Sequence, residues 1–269
     1  MNLQDCPKML SDRAYQAFPY SWRKNIFALL HPRKFRRYQF LRTGISRGYT
    51  YRSFLELQCL FIHIPKAAGI SVCTSLFSHL GGGHNRLKDY QMIFTEKEFE
   101  TLFKFAFVRN PWDKIFSAYH FLLQGGYKGY NREWAKKHLS AYRDFNDFIC
   151  NGLHRNDIRH CIHFRPQYEF VCLPLESRPH LDYVGFFEHL TQDFVYISNC
   201  IYGRTIPLEH KNKTTATNHV PFQEAYSEAS RRIVGDLYGQ DIEMFGYQPM
   251  QALTEQQLRK RELDYTPRR

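Results

Sequence analysis

Two segments of the chain carry the residue types and spacing of a phosphate grip. The first is His63-Ile64-Pro65-Lys66-Ala67-Ala68-Gly69-Ile70-Ser71. A tight turn between a strand and a helix aims backbone N–H groups at one point, and the helix N-terminus adds partial positive charge there. Ala67, Ala68 and Gly69 keep that point open to a ligand. Lys66 brings a full charge, and Ser71 or Thr74 brings a hydroxyl. The G-x-x-x-x-G-K-[ST] pattern of a P-loop is absent. The second segment is Arg109-Asn110-Pro111, with Ser117 eight residues after Arg109. Eight residues are just over two helical turns, so a guanidinium and a hydroxyl can address one phosphate monoester. Either segment alone also fits an ordinary strand-to-helix turn with a surface cation.

The elements that must hold these residues are readable from apolar runs. Leu60 to Ile64 reads as a strand ended by Pro65, and Ile70 to Leu80 as a helix ended by Gly81-Gly82-Gly83. Thr95 and Glu98 form a capping box. Phe105 to Val108 is a second strand, closed by Asn110-Pro111. Pro111 suits the first turn of a helix running through Ile115, Ser117, Tyr119 and Leu122 to Gly125. Residues 130–165 read as helical and polar, and short apolar runs follow at Phe170–Leu173 and Tyr183–Phe187. Leu190, Phe194, Ile197 and Ile201 then recur at helical steps, as do Phe222, Tyr226, Ala229, Ile233 and Leu237. The alternation predicts an α/β fold, a P-loop-like parallel sheet flanked by helices on both faces. Arg109 then sits at the carboxyl end of a strand, where open α/β sheets place their ligands.

Together the two segments resemble the nucleotide-binding motifs of the sulfotransferases. Pro65-Lys66-Ala67-Ala68-Gly69-Ile70-Ser71 is similar to the family's P-K-x-x-(G/S)-x-(S/T), and Arg109 to Ser117 to its R-(N/D)-P-x-x-x-x-x-S. His163-Phe164-Arg165-Pro166-Gln167, Asp182 to Leu190, His210-Lys211-Asn212-Lys213-Thr214, and Leu237-Tyr238 with Asp241 and Phe245-Gly246-Tyr247 resemble segments of the carbohydrate sulfotransferases. The resemblance covers about residues 58–247. It implies a sulfotransferase domain over residues 56–250, a basic N-terminal extension over 1–55 packed on it, irregular in pattern, and a polar C-terminal tail over 251–269. It also implies 3′-phosphoadenosine 5′-phosphosulfate as cosubstrate and a carbohydrate or glycoconjugate hydroxyl as acceptor.

By the same resemblance, Pro65 to Ser71 with Lys66 hold the 5′ side, Arg109 and Ser117 the 3′-phosphate, and Lys211, Lys213 and Thr214 a loop over the nucleotide. Lys66 is the cation for the leaving oxygen, and no metal is required. His163, Arg165 and Gln167 are expected at the acceptor. His84 is the expected general base, placed by its position after the glycine run. His63 reads as a core residue, and Glu169 and Glu188 are the carboxylate alternatives. Trp112 and Phe116 are candidates to stack on adenine or a sugar. Two other classes stay open. A P-loop nucleotide kinase would need a Ser/Thr beside its lysine, where Ala67 stands. A non-catalytic acidic-glycan module would explain the charge without the Arg109–Ser117 spacing.

The chain has 269 residues, 37 basic and 26 acidic, for a net charge of +11. That excess favours anionic partners. Nucleic acid is not among those expected, while Lys128, Arg132, Lys136, Lys137 and Arg143 suit an acidic glycan. Its 23 Phe and 18 Tyr predict a thick aromatic core. Seven cysteines occur at 6, 59, 73, 150, 161, 172 and 200 without a C-x-x-C pair. The paired ligand spacings of a zinc site are missing, so zinc is not expected, a reducing compartment is expected, and a Cys161–Cys172 bridge stays open. No stretch reaches the ~20 apolar residues of a membrane span, which sets the expectation of a cytoplasmic, bacterial-type enzyme. A start other than the natural one would move that expectation to the Golgi lumen. Arg23, Lys24, Arg33, Lys34, Arg36 and Arg37 lie among aromatic and aliphatic residues and offer a face for an anionic membrane surface.

Overall fold

The computed structural model describes residues 17–126, 129–209 and 221–265. Among them, three apolar runs form a parallel sheet, β1 (Cys59–Ile62), β2 (Phe103–Val108) and β3 (Tyr183–Phe186), in the order β1-β2-β3. Phe61 pairs with Phe105, and Phe105 in turn with Tyr183. Every strand residue except Phe103 is buried. Successive side chains of a strand point to opposite faces, so the sheet is covered on both. The fold is therefore α/β, with helices in both crossovers.

The turn chemistry follows the sequence closely. Thr95 accepts from the Glu98 N–H while Glu98 reaches back to the Thr95 N–H, capping the Glu96–Thr101 helix that leads into β2. After β2, Asn110 caps the Pro111–Leu123 helix through the Trp112 N–H, with Pro111 in its first turn. β3 runs through a single 3₁₀ turn, Phe187–His189, into the Leu190–Tyr202 helix.

Several elements differ from expectation. The helix after β1 spans Gly69–Phe77 and stops before the glycine run. Ser78 is left-handed there (φ 58°) and its N–H closes on Thr74 O. Residues 17–55, expected to be irregular, include the Tyr20–Leu30, Pro32–Leu41 and Arg52–Glu56 helices. Their buried Tyr20, Phe27, Tyr38, Leu41 and Phe54 join the sheet's own core. Pro32 begins a helix rather than breaking one. The C-terminal tail holds a helix too, Glu255–Asp264, capped by Thr254. Phe170 and Val171 belong to a single helical turn, Tyr168–Val171. The six described cysteines are free thiols, and Cys172 lies against Met244 Sδ rather than Cys161. No described helix is long and apolar enough to cross a membrane.

Candidate active site

The loop between β1 and the Gly69–Phe77 helix has an unusual backbone. Lys66 and Ala68 both have positive φ, 69° and 60°. Each such non-glycine residue costs on the order of 1–3 kcal/mol, and strain of this kind gathers at ligand clamps. Ala68 is the N-cap and brings no side-chain acceptor. The first N–H groups of that helix therefore have no cap from it, which suits an anion. The role expected of Gly69 changes. A Cβ there would stand 1.9 Å from His63 Cδ2 and 2.0 Å from His63 Nε2. The missing side chain thus makes room for the buried His63 ring.

Arg109, just past β2, ties the two segments together. Its Nη1 donates to Lys66 O at 2.9 Å, and its Nε and Nη2 hold both oxygens of Asp113 at 2.7 and 2.8 Å. The guanidinium lies 3.9 Å from the Phe187 ring centre. A guanidinium has five N–H donors. These three bonds use one from each nitrogen and leave one on each Nη. Ser117 sits half-buried two turns along the Pro111–Leu123 helix. Lys66 Nζ lies 4.0 Å from the centre of the Phe121 ring of that helix. Burial, with the charge of Arg109 added, lowers its ammonium to about 8.

Three histidines converge on the same end of the sheet. His84 Nδ1 lies 3.0 Å from His63 O, and the two rings are 4.2 Å apart. The His163 ring is 6.5 Å from that of His84 and 5.1 Å from that of Phe121. A carbonyl only accepts, so His84 Nδ1 carries the proton and its neutral ring keeps a lone pair on Nε2. Burial lowers the pKa of His84, and the charge of Lys66 adds to it. Burial, with His84, Lys66 and Lys114, lowers His163 to about 3. His63 is pushed well down, mainly by burial. Each shift favours the neutral ring. Among the described residues no group of three or more His, Cys, Asp or Glu side chains is arranged to hold a metal ion.

Behind these residues stands a scaffold of buried hydrogen bonds. Gln167 is fully buried, accepts from the Arg109 N–H at 2.9 Å and donates to Arg109 O at 2.8 Å. It was expected at the acceptor, but its amide fixes Arg109 instead. Asp241 in turn accepts from the Gln167 and Tyr168 N–H groups, both at 2.8 Å, and burial raises it to about 6. Lys114 is buried and donates to His163 O and Arg165 O, which pins the segment carrying those two residues. Burial lowers Lys114 to about 8. Glu188 accepts from the Asn110 N–H at 2.6 Å and from Tyr247 OH at 3.2 Å. Burial raises its pKa.

The remaining expectations fall elsewhere. Trp112 is buried with Nε1 on Arg231 O, so it packs rather than stacks on a ligand. Phe116 lies edge-on to Phe145 and His120. Arg165 Nη2 donates to His160 O, and its Nε is 3.7 Å from Glu169. Lys211, Lys213, Thr214 and Lys128 lie outside the described residues. The signals that sequence offered for the scaffold were short-range ones. Asp113 stands four residues from Arg109, in the first turn of the helix that Arg109 precedes. Gln167 and Asp241 are 74 residues apart, and no spacing rule joins them.

No curated protein and no solved structure matches the chain. A family model described as "Sulfotransferase family" matches residues 21–248.

Proposed function

The chain belongs to the sulfotransferase family, and on that premise we propose that it moves a sulfuryl group from 3′-phosphoadenosine 5′-phosphosulfate to a hydroxyl of a carbohydrate. The observation that carries this reading is the bond from Arg109 Nη1 to Lys66 O. It brings the expected 3′-phosphate residue and the expected 5′ loop into one site, with His84 on the same strand end. Lys66 offers a cation to the leaving phosphate oxygen as the sulfur–oxygen bond breaks, a task for fixed charge. Two Arg109 N–H groups and the Ser117 hydroxyl suit the 3′-phosphate. His84 Nε2 takes the acceptor's proton as the hydroxyl oxygen bonds to sulfur. The glycan-type acceptor rests on the resemblance of the His163–Gln167 segment to that of the carbohydrate enzymes.

Calorimetric titration tests the reading directly. The protein is expected to bind 3′-phosphoadenosine 5′-phosphate well ahead of adenosine 5′-phosphate. Hydrogen bonds to charged groups contribute about 1.5–3 kcal/mol each. Arg109→Ala should therefore erase roughly one to two orders of magnitude of that preference. A variant that still discriminates fully moves the 3′ site elsewhere. Equal affinity of the native chain for the two nucleotides removes this cosubstrate altogether.

A further inference from the structure

We propose that the two N-terminal helices form a docking surface for an anionic membrane. From Arg13 to Leu55 the sequence contains no Asp or Glu. The Pro32–Leu41 helix exposes Arg33, Lys34, Arg36 and Arg37. Arg33, Arg36, Arg37 and Phe40 recur at steps of three and four and share one face. Phe40 is 56% exposed. In the Tyr20–Leu30 helix, Trp22 and Leu29 are one heptad apart, with Asn25 between them on the same face. Trp22 is 60% exposed and Leu29 81%. Leu30 and Ile45 add exposed apolar surface nearby in sequence. The opposite faces carry Tyr20, Phe27, Tyr38 and Leu41 into the core. Lys34 Nζ lies over both the Phe27 and Tyr38 rings, joining the two helices at their hinge.

The combination selects the partner. An acidic polysaccharide would use the cations and set a sugar face against Trp22, but it has nothing to set against the aliphatic Leu29, 81% exposed. A bilayer interface takes both, basic side chains at the headgroups and an indole with leucine at the acyl boundary. The helices also stand apart from the nucleotide residues. Tyr20 OH donates to Phe94 O, and Arg42 pairs with Glu98, in the stretch that enters β2 at its amino end. Lys66 and Arg109 follow the carboxyl ends of β1 and β2. A membrane on the N-terminal helices would hold the enzyme at the surface and leave the catalytic end free.

Co-sedimentation of the full chain with vesicles tests this. Vesicles of phosphatidylcholine with phosphatidylglycerol should bring the protein down, and pure phosphatidylcholine vesicles should not. Each basic residue near an anionic surface is worth about fivefold in binding. Arg33→Ala/Arg36→Ala/Arg37→Ala should therefore lower it on the order of a hundredfold, as should raising salt well past the ~10 Å screening length of 0.1 M. Trp22→Ala/Leu29→Ala should weaken it separately, at unchanged charge. These side chains are exposed, so the variants should fold and keep nucleotide affinity, read by the same calorimetry. Binding unchanged in both variants overturns the proposal. So does a surface that retains heparin but no anionic vesicle, which would make it a glycan face.

Discussion

The ammonium of Lys66 is held where its own charge is disfavoured, with burial and Arg109 bringing it to about 8. The cationic form grips an anion, so the sign of the pH effect follows. Affinity for 3′-phosphoadenosine 5′-phosphate should be steady below the folded pKa and fall as pH rises through about 8, because the neutral amine has lost the charge that attracts the 5′-phosphate. Lys66→Arg should flatten that fall, since a guanidinium stays charged throughout. Titrations from pH 6.5 to 9.5 decide it, and a native profile that stays level assigns the 5′ grip to other groups. His84 presents the opposite case, a neutral ring whose Nε2 lone pair is fixed by the bond of Nδ1 to His63 O. His84→Ala should slow turnover by about 10²–10⁴ and leave nucleotide affinity intact. Turnover that survives this change, while His163→Ala or Glu188→Ala abolishes it, names a different base.

The strand–loop–helix unit from Cys59 to Phe77 shows what one missing Cβ can decide. Gly69 opens the helix without a positive φ, so alanine there would gain on propensity, by less than the ~1 kcal/mol of a helix interior. Against that, the new methyl would stand 1.9 Å from His63. The His63 ring is buried and stacks on Phe61, with His84 on another side, so it has little room to give. Overpacking of this kind costs about 1–3 kcal/mol and occasionally more. Gly69→Ala should therefore destabilise the fold in urea, and in a His63→Ala background the same change should become neutral or stabilising. A loss of equal size in both backgrounds would trace the glycine to the loop backbone instead. The sequence makes this unit's outline legible, because a continuous apolar run followed by Pro65 has few other readings. It does not disclose why Gly69 is glycine, since a spacing rule sees a small residue and not the ring that fills its place. The same limit hides what Gln167 and Asp241 do. The resemblance marks both positions, but only the folded chain sets Gln167 on Arg109 and Asp241 behind Gln167. The N-terminal helices are hidden in the sequence for a different reason. Their pattern is aromatic and basic, with a proline between them, and only the packing of Phe27 and Tyr38 turns that into two helices.

Taken together, the molecule is closed by a contact that runs beyond the matched region of residues 21–248. Arg261, on the Glu255–Asp264 helix, donates from Nη1 to Asp193 Oδ1 at 2.5 Å, and both side chains are buried. Asp193 also accepts from Tyr183 OH and His189 Nδ1 on Oδ1 and from the Phe186 N–H on Oδ2. One carboxylate thus joins both ends of β3, the Leu190–Tyr202 helix and the C-terminal helix. Gln257 adds a bond to Phe245 O from the same helix. The segment read as a polar tail is therefore a bracket on the edge strand, on the side where Phe187 supports Arg109. Removing one partner of a buried ion pair costs about 3–5 kcal/mol, because the other charge stays buried. Arg261→Met keeps the bulk and removes the charge. At about 2–4 °C per kcal/mol for a chain of this size, its melting temperature should fall by roughly 10 °C. The other hydrogen bonds to Asp193 would persist and moderate that loss. A fall of only a degree or two would show that the helix merely covers the sheet. A fall of the expected size, accompanied by weaker binding of 3′-phosphoadenosine 5′-phosphate, would show that the bracket holds β3 and Phe187 against the guanidinium proposed for the 3′-phosphate.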